Sequence, residues 1–168
     1  MSNISVKIEG GKEVAAAFRR SPFAMRLALR KNLLRGGHEI AREAQRNLRK
    51  NKSMAFSTLI QSLIVRAVSD FETHVTVGAA HGVYVEEGSA PGGQPNRQTL
   101  LDWIRVKRIQ PLQGQTLDDL EFLIGRKIRQ KGIKAKPFFE PAVEAKRSRV
   151  MALIELGVEE GLQSAGLA

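Results

Sequence analysis

The chain has 168 residues, of which 42% are hydrophobic and 26% charged, proportions that suit one folded domain with a hydrophobic core. It has no cysteine, which excludes disulfides and thiolate metal sites and fits a reducing compartment, and no apolar run of about 18 residues that would cross a membrane. Lys and Arg number 27 against 17 Asp and Glu, a net charge of +10 that calls for an acidic partner; with only 5% aromatics there is no platform of rings for single-stranded bases, leaving duplex DNA or a protein ring that handles it.

In chain order, NISVKIE (3–9) places Ile4, Val6 and Ile8 on one face at period two and predicts a strand; the same alternation in MSNISVKIEGG is unlike the apolar stretch of a signal peptide. KEVAAAF reads as a short helical turn ended near Ser21-Pro22, with Ser21 as N-cap of the next helix. That helix, about Phe23 to Arg49, is the longest element. Phe23, Leu27, Leu34, Ala41 and Leu48 fall close together at 100° per residue, and Leu33, Ile40 and Ala44 widen the apolar arc. Gly36-Gly37 interrupts it, at about 1 kcal/mol per glycine relative to alanine, which implies either a kink or a close helix–sheet contact.

Away from the apolar arc, Lys31, Arg35, Arg42, Arg46 and Arg49 fall within roughly 60° of one another along about 27 Å of helix. This row is either a solvated face or a contact with an acidic neighbour or with phosphates; Glu39 and Glu43 offset little of it. After the loop KNKSMAFS, the segments LIVRAV (63–68), HVTVG (74–78) and VYVEEG (83–88) read as three strands of an antiparallel meander. Val75, Val77, Val83 and Val85 share its buried face, with Tyr84 and Glu86 on the other.

Residues 88–96 and 109–116 read as flexible loops, separated by a helix carrying Leu100, Leu101, Trp103 and Ile104. Thr116 and Asp119 form a capping box for a helix over 117–131, which Gly132 stops. KAKPFFEPAVE leads into a last helix from about Pro141 to Glu160, and 161–168 read as a frayed tail. Phe138, Phe139 and Pro141 anchor that helix in the core rather than lining a ligand pocket. The whole is a single α+β domain over 1–168, a long N-terminal helix packed on a small antiparallel sheet of three or four strands, with additional C-terminal helices.

The most suggestive chemistry lies in GVYVEEGSAPGGQP (82–95), where Glu86 and Glu87 precede Gly88, Gly92 and Gly93. These glycines match neither dinucleotide nor P-loop spacing, and the prolines remove backbone donors that a phosphate cradle requires. In a strand the two adjacent carboxylates point to opposite faces and form no acid–base dyad; one binds a neighbour while the other is solvated. His38, His74 and His81 lack metal-ligand spacing, and neither a G-x-S-x-G nucleophile nor a cysteine is present. The residues call for no catalytic site, cofactor or metal; an enzyme built around Glu86 is the least supported class.

VYVEEGS, followed about 50 residues later by KPFFEPAVE, resembles the paired signature of the neck and tail-completion family of long-tailed bacteriophages, gene-product-ten-like head–tail joining and minor tail proteins. The order of SVKIEGGKEV, the long helix ending in Ala41, Ala44 and Leu48, STLIQSLIV, LLDWIRVKRI and FLIGRKIRQKGI agrees with it over roughly residues 4–146, although Ser57 to Leu63 lack the glycine usual at that place in the family. The resemblance implies a non-enzymatic virion protein of the neck or tail, assembled in the host cytoplasm as a homo-oligomeric ring, commonly six-fold. Such a ring completes or terminates the tail, meets the head connector on one side and tail tube or terminator proteins on the other, and leaves a channel for DNA without sequence-specific binding. On that reading Lys31, Arg35, Arg42, Arg46 and Arg49 face protein neighbours, and Glu86, Glu87, Gly88, Gly92 and Gly93 belong to a subunit-contacting arm. The alternative is a basic nucleic-acid-binding protein that uses the Lys31–Arg49 helix face.

Overall fold

The packing is organised by one long helix with two buried flanks. In the computed structural model, which describes residues 5–9, 23–51, 57–79, 81–93 and 95–164, the elements are β1 (Ser5–Glu9), α1 (Phe23–Lys50), α2 (Ser57–Gln61), β2 (Leu63–Ser69), β3 (Glu72–Val77), α3 (Gly82–Glu86), α4 (Arg97–Val106), α5 (Leu117–Lys131) and α6 (Glu140–Ser164). The architecture is α+β: a long N-terminal helix, a three-stranded antiparallel sheet and further C-terminal helices. The turn expected over KEVAAAF with its Ser21-Pro22 boundary, and the interior of the KNKSMAFS loop, lie outside the described residues.

The sheet has the order β1-β3-β2, with Val75 at its centre opposite Val6 on one side and Val65 on the other. Thr73, Val75 and Val77 alternate inward from β3, as the period-two pattern requires, and pack on α1. A register shift between Ala67 and Ser69 breaks the β2 ladder near its end.

VYVEEG is not the third strand; β1 holds that place, and residues 82–86 form the short helix α3. A Cβ on Gly82 would stand 2.7 Å from Val77 Cγ1 and 3.2 Å from Leu59 Cδ1, so the glycine lets the chain turn tightly over the end of β3. Once it turns, Gly82, Val85 and Glu86 share the buried side at helical spacing while Tyr84 and Glu87 face out. Tyr84 and Glu86, placed on one face by the strand reading, are therefore separated.

The buried arc of α1 keeps Leu33, Ile40, Ala41, Ala44 and Leu48 of the expected one but departs from it toward the N-terminus. It runs through Met25, Leu29, Asn32, Leu33, Gly36, Gly37, Ile40, Ala41, Ala44 and Leu48, whereas Phe23 is 71% and Leu27 54% exposed. The reason is that α1 is covered on two sides, by the sheet and by antiparallel α6, and small residues mark where these covers come closest. A Cβ on Gly37 would lie 2.8 Å from Val65 Cγ1 and 3.0 Å from Thr73 Cγ2, while one on Gly36 would meet Val150 at 3.4 Å. Gly37 thus serves close packing on the sheet, while Gly36 leaves Val150 at ordinary contact distance. Further along, Gly157 and Gly161 of α6 sit against Leu29, Asn32 and Met25, which carries α6 to Ser164, past the residue 161 boundary expected for fraying; 165–168 lie outside the described residues.

The signals at the start and end of α5 act as read: Thr116 Oγ1 accepts from Asp119 N at 3.2 Å, Asp119 Oδ2 accepts from Thr116 N at 2.8 Å, and Gly132 is the C-cap. Thr116 N and, at 2.7 Å, Thr116 Oγ1 both donate to Asp119 Oδ2, and these two bonds hold the exposed carboxyl below its ordinary pKa. No helix among the described residues is long and apolar enough to cross a membrane.

The two central glycines are expected to respond oppositely to one methyl group. Gly36→Ala has room and gains helix propensity, so stability should be unchanged or raised by up to about 1 kcal/mol. Gly37→Ala forces the helix off Val65 and Thr73 and should lower stability by about 1–3 kcal/mol despite the same propensity gain. Urea melts of both variants measure the difference.

Candidate functional site

Glu86 is the polar centre of the molecule. It is 8% exposed, and its carboxylate accepts three main-chain N–H groups: Phe138 and Phe139 on Oε2 at 2.8 and 2.9 Å, and Glu140 on Oε1 at 2.8 Å. These donors sit at the N-terminus of α6, where helix geometry leaves N–H groups without intrahelical partners and the dipole favours a negative charge. Pro141 has no N–H to satisfy, Val143 N donates to Phe139 O at 3.0 Å, and Glu86 supplies charge-assisted bonds to the three N–H groups before them.

The carbonyl side of the same segment is held from α1. Asn47 Nδ2 donates to Phe138 O at 3.0 Å, and Asn51 Nδ2 to Pro137 O at 3.2 Å and Lys136 O at 3.4 Å. Lys136 N in turn donates to Val85 O at 2.8 Å. With Phe138 and Phe139 buried edge-to-face beneath it, KPFFEP joins α1, α3 and α6 at one node. Both Glu86 oxygens are occupied by main-chain donors, so this carboxylate is committed to structure.

Glu87 is exposed on the opposite side of α3, so the two carboxylates do part company, through a helical turn rather than a strand pleat. Gly88 has φ +76° and Gly132 φ +72°, and their bare α-carbons face each other's strands: a Cβ on Gly88 would overlap Ile133 O, and one on Gly132 would overlap Ser89 O. Between them Ser89 and Ile133 exchange N–H···O bonds at 2.9 and 3.0 Å, and Gly92 N donates to Arg129 O at 2.7 Å. The first part of the 88–96 segment is therefore strapped to the end of α5, while Gly93 is exposed and has open space where a side chain would stand.

The structure does not bring the basic row to this node. Lys31, Arg35, Arg42, Arg46 and Arg49 are all exposed, on the face of α1 turned away from its buried arc. Lys31 Nζ lies 3.4 Å from Glu160, and Arg46 Nη1 lies 2.9 Å from Glu43. Arg35, Arg42 and Arg49 form no ion pair among the described residues. Glu43 also receives Lys146 of α6 at 3.4 Å; burial would raise its carboxyl, but the Arg46 and Lys146 hydrogen bonds outweigh that and hold it below its ordinary value. At the far end of the α1–α6 interface, buried Asn32 donates to Ala28 O at 3.1 Å and to Glu160 Oε2 at 3.0 Å.

Of the histidines, His74 Nε2 sits 2.6 Å from Glu72, His38 is exposed, and burial lowers the pKa of His81. Among the described residues no three His, Asp or Glu side chains gather as a metal site. Surface hollows of about 400 Å³ among the described residues lie beside Arg105, Arg108 and Leu117 and beside Leu27, Lys31 and Glu160, and these do not adjoin the Glu86 node. Sequence reasoning missed Asn47 and Asn51, whose only signal was their position in and just past the last turn of α1. No protein-family model matches the chain, and no curated protein and no solved structure shows significant similarity to it.

Truncation of the two neighbouring acids should separate them. Glu86→Ala orphans three main-chain donors and is expected to cost about 2–4 kcal/mol of stability, while Glu87→Ala should stay within about 0.5 kcal/mol of the parent. Denaturant unfolding followed by far-UV circular dichroism checks both values.

Proposed function

We propose that this chain is a non-enzymatic structural protein of a tailed bacteriophage, forming a ring at the neck or tail top that completes the tail and joins it to the head connector. The observation that carries the reading is the contact between VYVEEGS and KPFFEPAVE. These are the two stretches on which the family resemblance rests, and in the fold the acid of the first receives the main chain of the second. The resemblance therefore follows a physical unit, a buried carboxylate joined to the helix entry it stabilises, rather than two unrelated short matches. The ring leaves a channel for DNA without sequence-specific contacts, and its neighbours are connector proteins on one side and tail proteins on the other.

A second reading, duplex nucleic-acid binding, is favoured by the exposure of Arg35, Arg42 and Arg49 without ion pairs among the described residues. The two differ in solution. The ring reading predicts a cyclic oligomer by native mass measurement and negative-stain imaging, with no tight retention of duplex DNA by the purified protein. A monomer that binds duplex DNA with affinity falling steeply with salt would contradict it.

A further inference from the structure

The basic row of α1 has a counterpart on the same chain. Glu140, Glu144, Glu155 and Glu159 of α6 are all exposed and fall within about 100° of one another around the helix axis, with Ser148 and exposed Met151 between them. This arc lies away from Ala142, Val150, Leu153, Gly157 and Gly161, the buried side of α6. Glu144 holds Arg147 at 3.4 Å; Glu140, Glu155 and Glu159 make no side-chain ion pair among the described residues. Glu160, which does face α1, is used there by Lys31 and Asn32.

The two rows match in length: about 27 Å from Lys31 to Arg49 and about 28 Å from Glu140 to Glu159 at 1.5 Å per residue. They point in different directions. Antiparallel packing, fixed by Met25 against Gly161 and Gly36 against Val150, turns the basic row of α1 and the acidic row of α6 to roughly opposite sides of the helix pair. Within one copy they cannot meet. In a two-fold contact through either row, like charges would face each other. A head-to-tail contact places unlike charges together and leaves each copy with one basic and one acidic row to extend or close the assembly.

We propose that the exposed Arg35–Arg42–Arg49 face of α1 docks on the Glu140–Glu155–Glu159 face of α6 in a second copy of this chain. This deepens the ring reading and rests on it, naming the surfaces through which neighbouring subunits meet. A nucleic acid would be complemented by the basic row alone; the acidic row of equal length favours the second copy.

The test is self-association of the full chain by sedimentation equilibrium at about 50 and 500 mM salt, where screening of the paired rows differs strongly. The parent should associate at low salt and weaken at high salt. Arg35→Glu with Arg42→Glu, or Glu155→Lys with Glu159→Lys, should each weaken association about tenfold to a hundredfold without changing the melting temperature by more than a few degrees. An equal mixture of the two reversed proteins should recover it, since each then offers the row the other lacks. A closed ring that persists through both reversals overturns this contact and leaves the ring reading standing; a parent that stays monomeric overturns both. Unchanged association, with duplex DNA retention lost in Arg35→Glu/Arg42→Glu, overturns the contact in favour of nucleic acid.

Discussion

A buried carboxylate bonded to a helix entry is the constraint on which the C-terminal half of the fold depends. Glu86 is brought inside by a single turn of helix that Gly82 permits, and its two oxygens take up the N–H groups of Phe138, Phe139 and Glu140. Without those partners the helix would begin with its buried donors unpaired, at a cost of about 2–4 kcal/mol in all. With them the entry is fixed, Phe138 and Phe139 enter the core, and α6 is aimed along α1 closely enough for Gly157 and Gly161 to meet its backbone. Asn47 and Asn51 hold the carbonyls of the same segment, so the node is tied from both sides.

Periodicity and capping chemistry made much of this legible. The inward valines of β3, the span of α1, and the capping box and glycine stop of α5 follow from local rules that tertiary packing leaves intact. VYVE was misread because four residues are too few to separate a two-residue period from a helical one. The choice depended on Val77 and Leu59 crowding Gly82, a contact between elements that no local pattern records. The face of α1 was read correctly at Leu33, Ile40, Ala41, Ala44 and Leu48 and misplaced toward its N-terminus for a related reason. Hydrophobicity carried the arc out to Phe23 and Leu27, which are exposed, and passed over Gly36, Gly37 and Asn32, which are buried because the covering elements come close there.

The opening stretch of the candidate site was legible in composition and not in role. Glu86 and Gly88 stood out as an acid beside a flexible residue, which reads as part of a subunit-contacting arm. In the fold the acid is a helix-entry partner, and Gly88 is where two backbones pass too closely for a side chain. The basic row was read at its true position because an exposed face answers only to helix geometry. Its acidic counterpart on α6 escaped notice: four glutamates spread over 20 residues, with arginines among them, do not stand out until the buried side of that helix is known. The resulting molecule carries charge of opposite sign on two sides of one helix pair, an arrangement suited to repetition.

Amide hydrogen exchange at the α6 entry bears most directly on the central claim. If the Glu86 node governs the placement of α6, the Phe138, Phe139 and Glu140 amides should exchange only with global unfolding, as slowly as core amides of α1 such as Leu33. In Glu86→Gln, which keeps the shape but loses the charge and one acceptor oxygen, they should exchange faster while Leu33 remains more protected. Rapid exchange of all three amides in the parent protein, with the α1 core still protected, would contradict the account.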